Sequence, residues 1–134
     1  MVVVDGKEVL EKPENAAHAS NMLRRLSGKT HVVKTVIILL YPDAGTHGVG
    51  QSTEPLIRHR ITETTVTFRP LDERFICDYV ASGHPMDKAG SYGYMDQGAA
   101  LVSRIDGDYF NVIGFSASTF ADMIIEDRTR FAEQ

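Results

Sequence analysis

The residues best suited to chemistry lie between Gly83 and Gly93, where an acid and a base are followed by glycines. Asp87 and Lys88 are adjacent, and Gly90 and Gly93 follow within the next five residues. A carboxylate suits a metal ion or an attacking water, and a lysine ammonium is a compact positive charge for a phosphate. Glycine permits positive φ and a close backbone approach to a ligand. The segment predicts a nucleotide-processing loop, and the alternative is a solvated turn with a surface ion pair.

A second candidate is Lys12, which precedes Pro13 just before a predicted helix. A cation beside the partly positive N-terminal end of a helix suits an anion, and the alternative is an ordinary solvated lysine. The five histidines lack the HxxxH spacing of metal ligands, and no phosphate-binding P-loop or dinucleotide fingerprint is present. The residues alone therefore predict an anion site built from Lys12 and the 87–93 loop.

The elements that must position these residues follow from the apolar periodicity and the turn residues. In chain order the patterns predict a hairpin of 2–4 and 9–10, a helix from Asn15 to Leu26 closed by Gly28, a strand over 32–40 buried on both faces, a loop over 43–53, a strand over 58–68, a helix from Asp72 to Gly83, a second hairpin of 100–105 and 109–113, and a last helix over 117–127. Hairpins together with crossovers indicate an α/β fold with a mixed sheet flanked by helices.

Composition excludes several classes of protein. The chain has 134 residues, a net charge of −4 and 43% apolar residues, which fits one globular domain and gives no polybasic surface for nucleic acid or a membrane. The longest apolar run, 36–40, is too short to span a bilayer, and no signal peptide is evident. The single cysteine, Cys77, excludes an internal disulfide and is predicted to be a core thiol in the cytoplasm.

Four segments, in this order and spacing, resemble the Maf (septum-formation) nucleoside triphosphate pyrophosphatases. They are LEKP at 10–13, MLRRLSG at 22–28 with TH at 30–31, YVASG at 79–83 running into DKAGSYG at 87–93, and GDYFNVIG at 107–114. The resemblance covers nearly the whole chain. It implies an α/β fold with a cleft between two lobes, like that of Maf and ITPase enzymes.

The resemblance also implies an activity. Family members hydrolyse nucleoside triphosphates between the α and β phosphates, giving a monophosphate and pyrophosphate, with Mg²⁺ or Mn²⁺ as the divalent cation. The substrates would be pyrimidine or modified nucleotides, and the role would be sanitation of the nucleotide pool with a link to cell-division arrest. A homodimer is compatible with the resemblance.

Site residues follow by position in the matched motifs. Lys12 matches the family's phosphate-contacting lysine, and Asp87 with Lys88 matches the signature loop beside the base and phosphate pocket. The resemblance implies catalytic roles for these three residues. It implies substrate contacts for a set that shares this loop and its flank, namely Lys12, Lys88, Gly90, Tyr92, Gly93 and Gln97.

Two departures from the family pattern matter. An Asp-Thr pair precedes the first strand in the family, and counting back from Lys12 places Met1 on the Thr. The chain therefore resembles the C-terminal two thirds of a Maf protein, and 1–134 is predicted to be one Maf-like domain truncated at its N-terminus. After Gly93 the family usually has Ile-Gln-Gly, and this chain has Tyr94-Met95-Asp96. Met95 thus replaces the glutamine that helps to read the base.

These departures leave an alternative function open. If the Asp before the first strand is the general base, Asp87 could at best substitute for it. The alternative to an active pyrophosphatase is a non-catalytic remnant that binds nucleotide or pairs with a full-length subunit. A purely structural interaction domain is the third interpretation.

Overall fold

The computed structural model describes residues 1–42 and 55–132, without the side chain of Phe131. In chain order its strands and helices are β1 (Val2–Asp5), β2 (Glu8–Leu10), α1 (Ala16–Leu26), β3 (Thr30–Tyr41), β4 (Leu56–Phe68), α2 (Glu73–Ala81), β5 (Val102–Asp106), α3 (Tyr109–Ile113) and α4 (Ala117–Ala132). Short 3-10 helices cover His84–Asp87, Ala89–Ser91 and Gln97–Leu101. The predicted loop over 43–53 lies outside the described residues.

The five strands form one sheet in the order β2-β1-β3-β4-β5, which confirms the α/β class. The pairings β1–β2, β1–β3 and β4–β5 are antiparallel, whereas a mixed sheet was predicted. The reason is the position of β1. Helix α1 connects β2 to β3, which run in the same direction, but β1 lies between them and is antiparallel to both. The crossover therefore produces no parallel neighbours.

The chain divides into two compact units. Unit 1 comprises Met1–Thr35 and Thr62–Ala117, and unit 2 comprises Val36–Ile61 and Ser118–Gln134. The candidate site residues named above all belong to unit 1. That 1–134 is a single Maf-like domain truncated at its N-terminus stays a prediction.

The core of unit 1 lies between one face of the sheet and helices α1 and α2. Asn15 caps α1 by accepting a hydrogen bond from the His18 backbone N–H at 2.9 Å, and Asp72 caps α2 in the same way from the Phe75 N–H at 2.7 Å. Both caps agree with the sequence prediction. Both helices and the sheet contribute side chains to this core, among them Leu23, Leu26, Ile76, Tyr79, Val3, Val33, Val66 and Phe68.

Unit 2 combines the outer parts of β3 and β4 with helix α4. The buried carboxylate of Asp127 accepts a hydrogen bond from the Tyr41 hydroxyl at 2.9 Å and lies 3.5 Å from the Arg58 guanidinium. Arg60 forms an ion pair with Glu126 at 2.7 Å. A paired carboxylate can be buried at acceptable cost, whereas an unpaired one cannot.

Three sequence predictions are wrong in detail. Strand β3 was expected to be buried on both faces, but Val36, Ile38 and Leu40 are 48%, 61% and 57% exposed. Successive strand residues point to opposite faces, and among the described residues only the face that carries Ile37 is packed here. Apolar composition alone cannot distinguish a strand with one covered face from one with two.

The other two errors concern Cys77 and the second hairpin. Cys77 is exposed because the buried stripe of α2 runs through Ile76 and Tyr79, one helical turn apart. Residues Tyr109–Ile113 form α3 and not a strand, because Asp108 caps them by accepting a hydrogen bond from the Phe110 N–H at 2.8 Å. Strand β5 instead pairs with β4. In the described part of the chain, no helix has the length and apolarity needed to cross a membrane.

Candidate active site

A groove of about 520 Å³ in unit 1 brings the three predicted catalytic residues together. Its lining comes from β1, the segment after β2 and the 87–89 turn: Met1, Val2, Glu11, Lys12, Asp87, Lys88 and Ala89. Lys12 is exposed, and it has no hydrogen bond or ion pair with any other residue that the structure describes. Its ammonium is therefore available to an anion in the groove.

Gly90 connects the two segments that carry these side chains. Its backbone N–H donates a hydrogen bond to the carbonyl oxygen of Glu11 at 3.1 Å, which ties the loop to the residue before Lys12. Gly90 has φ of 69°, and a Cβ atom there would lie 2.9 Å from Val3 Cγ2. Both the backbone conformation and the close approach require glycine. Gly90 therefore positions the loop against β1, and its N–H is already used.

The Lys88 ammonium is surrounded by oxygen acceptors. It donates hydrogen bonds to Asp87 Oδ1 at 2.7 Å and to the His84 carbonyl oxygen at 3.0 Å, and it lies 3.5 Å from Asp96 Oδ2. The hydrogen bond to Asp87 raises the pKa of Lys88, so the side chain is a cation at neutral pH. A positive charge is thus held at the edge of the groove.

Asp87 is a poor candidate for a general base. The hydrogen bond from Lys88 lowers the pKa of the Asp87 carboxyl, and Lys12 adds a smaller effect in the same direction. A carboxylate with a lowered pKa accepts a proton from water less readily. Because its side chain is 77% exposed, Asp87 is better suited to exchange its partner for a cation or a substrate group.

A second network lies behind Lys88 and was missed by the sequence analysis. Asp96 Oδ1 accepts hydrogen bonds from the Gly98 N–H at 2.7 Å and from the Tyr79 hydroxyl at 3.1 Å. The Tyr79 hydroxyl in turn accepts one from the Gly93 N–H at 3.3 Å. Burial raises the pKa of Tyr79, which therefore stays protonated and donates to the carboxylate. The one signal in the sequence was an aspartate at a position where the family usually has glycine.

The remaining predicted substrate contacts lie away from the groove lining. Tyr92 is buried, its hydroxyl lies 2.8 Å from His31 Nε2, and its ring packs edge to face on Phe68 at 4.7 Å. Gly93 lies beneath the Lys88 side chain, and Gln97 is exposed at the start of its 3-10 helix. The structure therefore brings together Lys12, Lys88 and Asp87, but it does not bring Tyr92 or Gln97 to them.

Carboxylates in the groove fit a divalent cation that is shared with a substrate. In residues 1–42 and 55–132 no group of three or more His, Cys, Asp or Glu side chains is arranged to hold a metal ion. Two carboxylates, Glu11 and Asp87, do line the groove. Mg²⁺ is often bound by one or two carboxylates together with substrate phosphates and water, so this pair fits such an ion.

Comparison with known proteins identifies the family of the chain. Residues 1–126 match the family described as Maf-like protein. A dTTP/UTP pyrophosphatase of Symbiobacterium thermophilum is 44% identical over 126 residues, which are 94% of this chain and 58% of that protein. A dTTP/UTP pyrophosphatase of Moorella thermoacetica is 45% identical over 114 residues, which are 85% of this chain and 53% of that protein.

A nucleoside triphosphate pyrophosphatase of Shigella flexneri is 42% identical over 114 residues, covering 85% of this chain and 52% of that protein. The chain thus spans about half the length of the curated relatives it matches. The match extends over both sets of groove residues, Lys12 as well as Asp87 and Lys88. The chain belongs to the Maf-like protein family.

Proposed function

We propose that this protein is a nucleoside triphosphate pyrophosphatase that acts on pyrimidine nucleotides such as dTTP and UTP. The observation that carries the proposal is the meeting of Lys12, Asp87 and Lys88 in one groove, although 74 residues (13 to 86) separate Lys12 from Asp87 along the chain. The names of the relatives support the substrate class. Removal of aberrant nucleotides from the pool, with a link to cell division, is the role that we propose with it.

The proposed reaction consumes one water and one nucleoside triphosphate. The water oxygen bonds to the α-phosphorus and the water loses its protons to the solvent. The bond from that phosphorus to the α–β bridging oxygen breaks, and pyrophosphate leaves with the bond's electron pair. Lys12 and Lys88 would neutralise the negative charge that grows on the departing pyrophosphate. Lys12 is suited to this task because its ammonium has no hydrogen bond or ion pair with a described residue.

Glu11 and Asp87 would hold the divalent cation, Mg²⁺ or Mn²⁺. When bound, the cation would neutralise phosphate charge and polarise the phosphorus–oxygen bonds. Asp87 would contribute its exposed carboxylate, whose lowered pKa keeps it anionic at neutral pH. A homodimer, a cytoplasmic location and the absence of nucleic-acid or membrane partners stay predictions.

The test is pyrophosphate release from the chain with dTTP, UTP, CTP, ATP and GTP, each with Mg²⁺ or Mn²⁺. We expect equal amounts of monophosphate and pyrophosphate from the pyrimidine nucleotides, with no orthophosphate. Lys12→Ala should lower the rate at least tenfold, because it removes the unpaired cation of the groove. The matched control is Lys7→Ala, an exposed lysine in the β1–β2 turn, which should leave the rate unchanged. No release above the Lys12→Ala level from a folded sample would refute the activity.

A second candidate function, nucleotide binding without hydrolysis, is favoured by one observation. Asp87, the residue that would have to substitute for a general base, is hydrogen-bonded to Lys88, which lowers the pKa of its carboxyl. A binding protein would be stabilised against heat by dTTP in the same sample that releases no pyrophosphate. Loss of that stabilisation in Lys12→Ala, but not in Lys7→Ala, would place the nucleotide in this groove.

A further inference from the structure

We propose that Asp96 is a positioning residue that holds the Lys88 ammonium at the groove and acts as its fixed counter-charge. The inference goes beyond the family pattern, which usually has glycine at this position. The expected effect of Asp96 on phosphate affinity rests on the proposed phosphate-binding function of Lys88. The expected effect of Asp96 on the mobility of the Lys88 ammonium does not. The two consequences can therefore be tested separately.

One oxygen atom of the Asp96 carboxylate is fixed by two hydrogen bonds. Its Oδ1 accepts the hydrogen bonds from Gly98 and Tyr79, so the carboxylate has a fixed orientation relative to α2 and the following 3-10 helix. The side chain is 19% exposed, and its Oδ2 faces Lys88 at 3.5 Å. A fixed, largely buried carboxylate attracts a neighbouring ammonium more strongly than a mobile surface group does.

Lys88 is held between Asp96 and a second set of acceptors. Its stem lies across Gly93, where a Cβ atom would be 2.4 Å from Lys88 Cε, so the absence of a side chain at Gly93 lets the lysine follow this path. An ammonium has three donors, and here Asp87 Oδ1 and the His84 carbonyl accept two hydrogen bonds. The remaining side of the ammonium faces Asp96.

The two carboxylates that neutralise Lys88 differ in how they would respond to a phosphate. Asp87 is 77% exposed and can release the ammonium to a phosphate that enters the groove. Asp96 cannot turn away without losing the hydrogen bonds from Gly98 and Tyr79. Asp96 therefore keeps the Lys88 ammonium in place and offsets part of the positive charge of that ammonium. The lysine is better ordered as a result, but its affinity for an anion is lower.

The test uses Asp96→Asn, which retains an oxygen for Gly98 and Tyr79 but removes the charge. The first readout is the ¹H–¹⁵N signal of the Lys88 ammonium by NMR, assigned by its disappearance in Lys88→Met. We expect a distinct signal in the parent chain and its loss or broadening in Asp96→Asn, with partial rescue by Asp96→Glu. An unchanged signal would overturn the proposal. If Asp96→Asn proves poorly folded by thermal melting, Asp96→Ser, which still caps Gly98, replaces it.

The second readout is the Kd for inorganic tripolyphosphate by calorimetry. We expect Asp96→Asn to bind it about fivefold more tightly, the size of effect that follows from removing one partly screened ion pair. In the Lys88→Met background the effect of Asp96→Asn should vanish, because Asp96 acts through the lysine. Asp106→Asn, an exposed aspartate of β5 paired with Arg104, controls for net charge and should change nothing.

The outcomes separate this proposal from the proposed function. An Asp96→Asn effect that persists without Lys88 would overturn the positioning role. A parent chain that binds no tripolyphosphate would refute the phosphate site, and the NMR signal of Lys88 would then decide the role of Asp96 by itself. Tighter binding by Asp96→Asn but not by Asp106→Asn, together with loss of the ammonium signal, supports both.

Discussion

The Lys88 side chain lies directly across Gly93, and a Cβ atom built at Gly93 would stand 2.4 Å from Lys88 Cε and 2.5 Å from Cδ. Gly93 was predicted to contact substrate. Its position beneath the lysine stem gives it an indirect role, in which the absent side chain leaves room for the ammonium to reach Asp87 and Asp96. The position of the Lys88 side chain therefore depends on the glycine at 93.

The substitution Gly93→Ala should displace Lys88 with little loss of fold stability. Two of the three atoms that it meets belong to the flexible Lys88 side chain, which can move aside, and the third, Asp96 Oδ2 at 2.9 Å, has to shift slightly, so we expect about 1 kcal/mol of destabilisation. Tripolyphosphate affinity should fall severalfold because the ammonium is displaced from the edge of the groove. Calorimetry and thermal melting measure the two effects. Unaltered affinity in Gly93→Ala would show that the position of Lys88 does not matter for anion binding.

The matched comparison is Gly98→Ala, five residues after Gly93. Its Cβ would lie 2.4 Å from the Gly93 carbonyl oxygen and 2.6 Å from the Tyr79 hydroxyl. Backbone and a buried tyrosine cannot move aside cheaply, so here we expect the larger loss of stability. Equal melting temperatures for the two variants would contradict this difference.

Gly90 should be far less tolerant of alanine than Gly83. Both have positive φ, 69° and 79°, so both substitutions incur about 1–2 kcal/mol of backbone strain. Only Gly90 lies against Val3, with atoms from 2.9 to 3.1 Å from the added Cβ, whereas nothing lies within 4 Å at Gly83. Urea unfolding should therefore show Gly90→Ala as the less stable variant by a further ~1–3 kcal/mol. Similar free energies of unfolding would mean that β1 moves to accommodate the methyl group.

Asn111 has a structural role in the 107–114 motif that the resemblance singles out. Its buried amide donates to the Val33 carbonyl at 3.1 Å, the Thr62 carbonyl at 3.3 Å and Thr64 Oγ1 at 3.0 Å. The side chain of α3 thereby links β3 and β4. Because three oxygen acceptors surround the NH₂ group, the side chain at position 111 has to present a hydrogen-bond donor there.

Asn111→Asp should therefore destabilise the fold strongly. The substitution keeps the shape but places a carboxylate opposite oxygen acceptors in the core, and we expect a loss of about 3 kcal/mol or more at neutral pH. Urea unfolding measures it, and Asn21→Asp on the exposed surface of α1 is the control. A small loss that does not depend on pH would show that the Asn111 amide is not the required donor.

The sequence predicted the elements whose signals are local. Helix caps at Asn15 and Asp72 were found because their side-chain hydrogen bonds act within three residues. The second hairpin was wrong because the cap made by Asp108 competes with the β-propensity of the residues that follow it. The exposure of Val36 and Cys77 depends on which faces other elements cover, and one strand or helix does not carry that information.

The candidate site was predictable only in part for a similar reason. Lys12, Asp87 and Lys88 were predicted because their residue types and motif positions indicate phosphate chemistry, and the three residues line one groove. The contact of Asp96 with Lys88 depends on how the turn after Gly93 folds back onto α2, and neither spacing nor composition encodes it. Tyr92 was assigned to substrate because of its place in the motif, whereas its ring fills the core.

His31 is the buried titratable group whose protonation should control acid stability. Its Nε2 lies 2.8 Å from the Tyr92 hydroxyl and its ring packs edge to face on Phe68 at 5.0 Å, whereas no described group hydrogen-bonds Nδ1. Burial lowers the pKa of His31 from 6.5 to about 4, against a weaker opposing effect of Asp5. The folded protein therefore holds His31 neutral at pH values where the unfolded chain would protonate it.

The sign of the pH effect follows from that difference. Between pH 6.5 and about 4 the unfolded state binds a proton at His31 that the folded state refuses, so the free energy of unfolding falls as the pH falls through this window. The loss approaches about 3 kcal/mol at pH 4. His31→Gln keeps a polar partner for Tyr92. This variant should be less stable than the parent chain at pH 7, but its free energy of unfolding should change less between pH 7 and 4. Urea unfolding across this range measures how the free energy of unfolding depends on pH. The control is His59→Gln, at an exposed histidine. Parallel pH profiles for His31→Gln and the parent chain would exclude His31 as the titrating group.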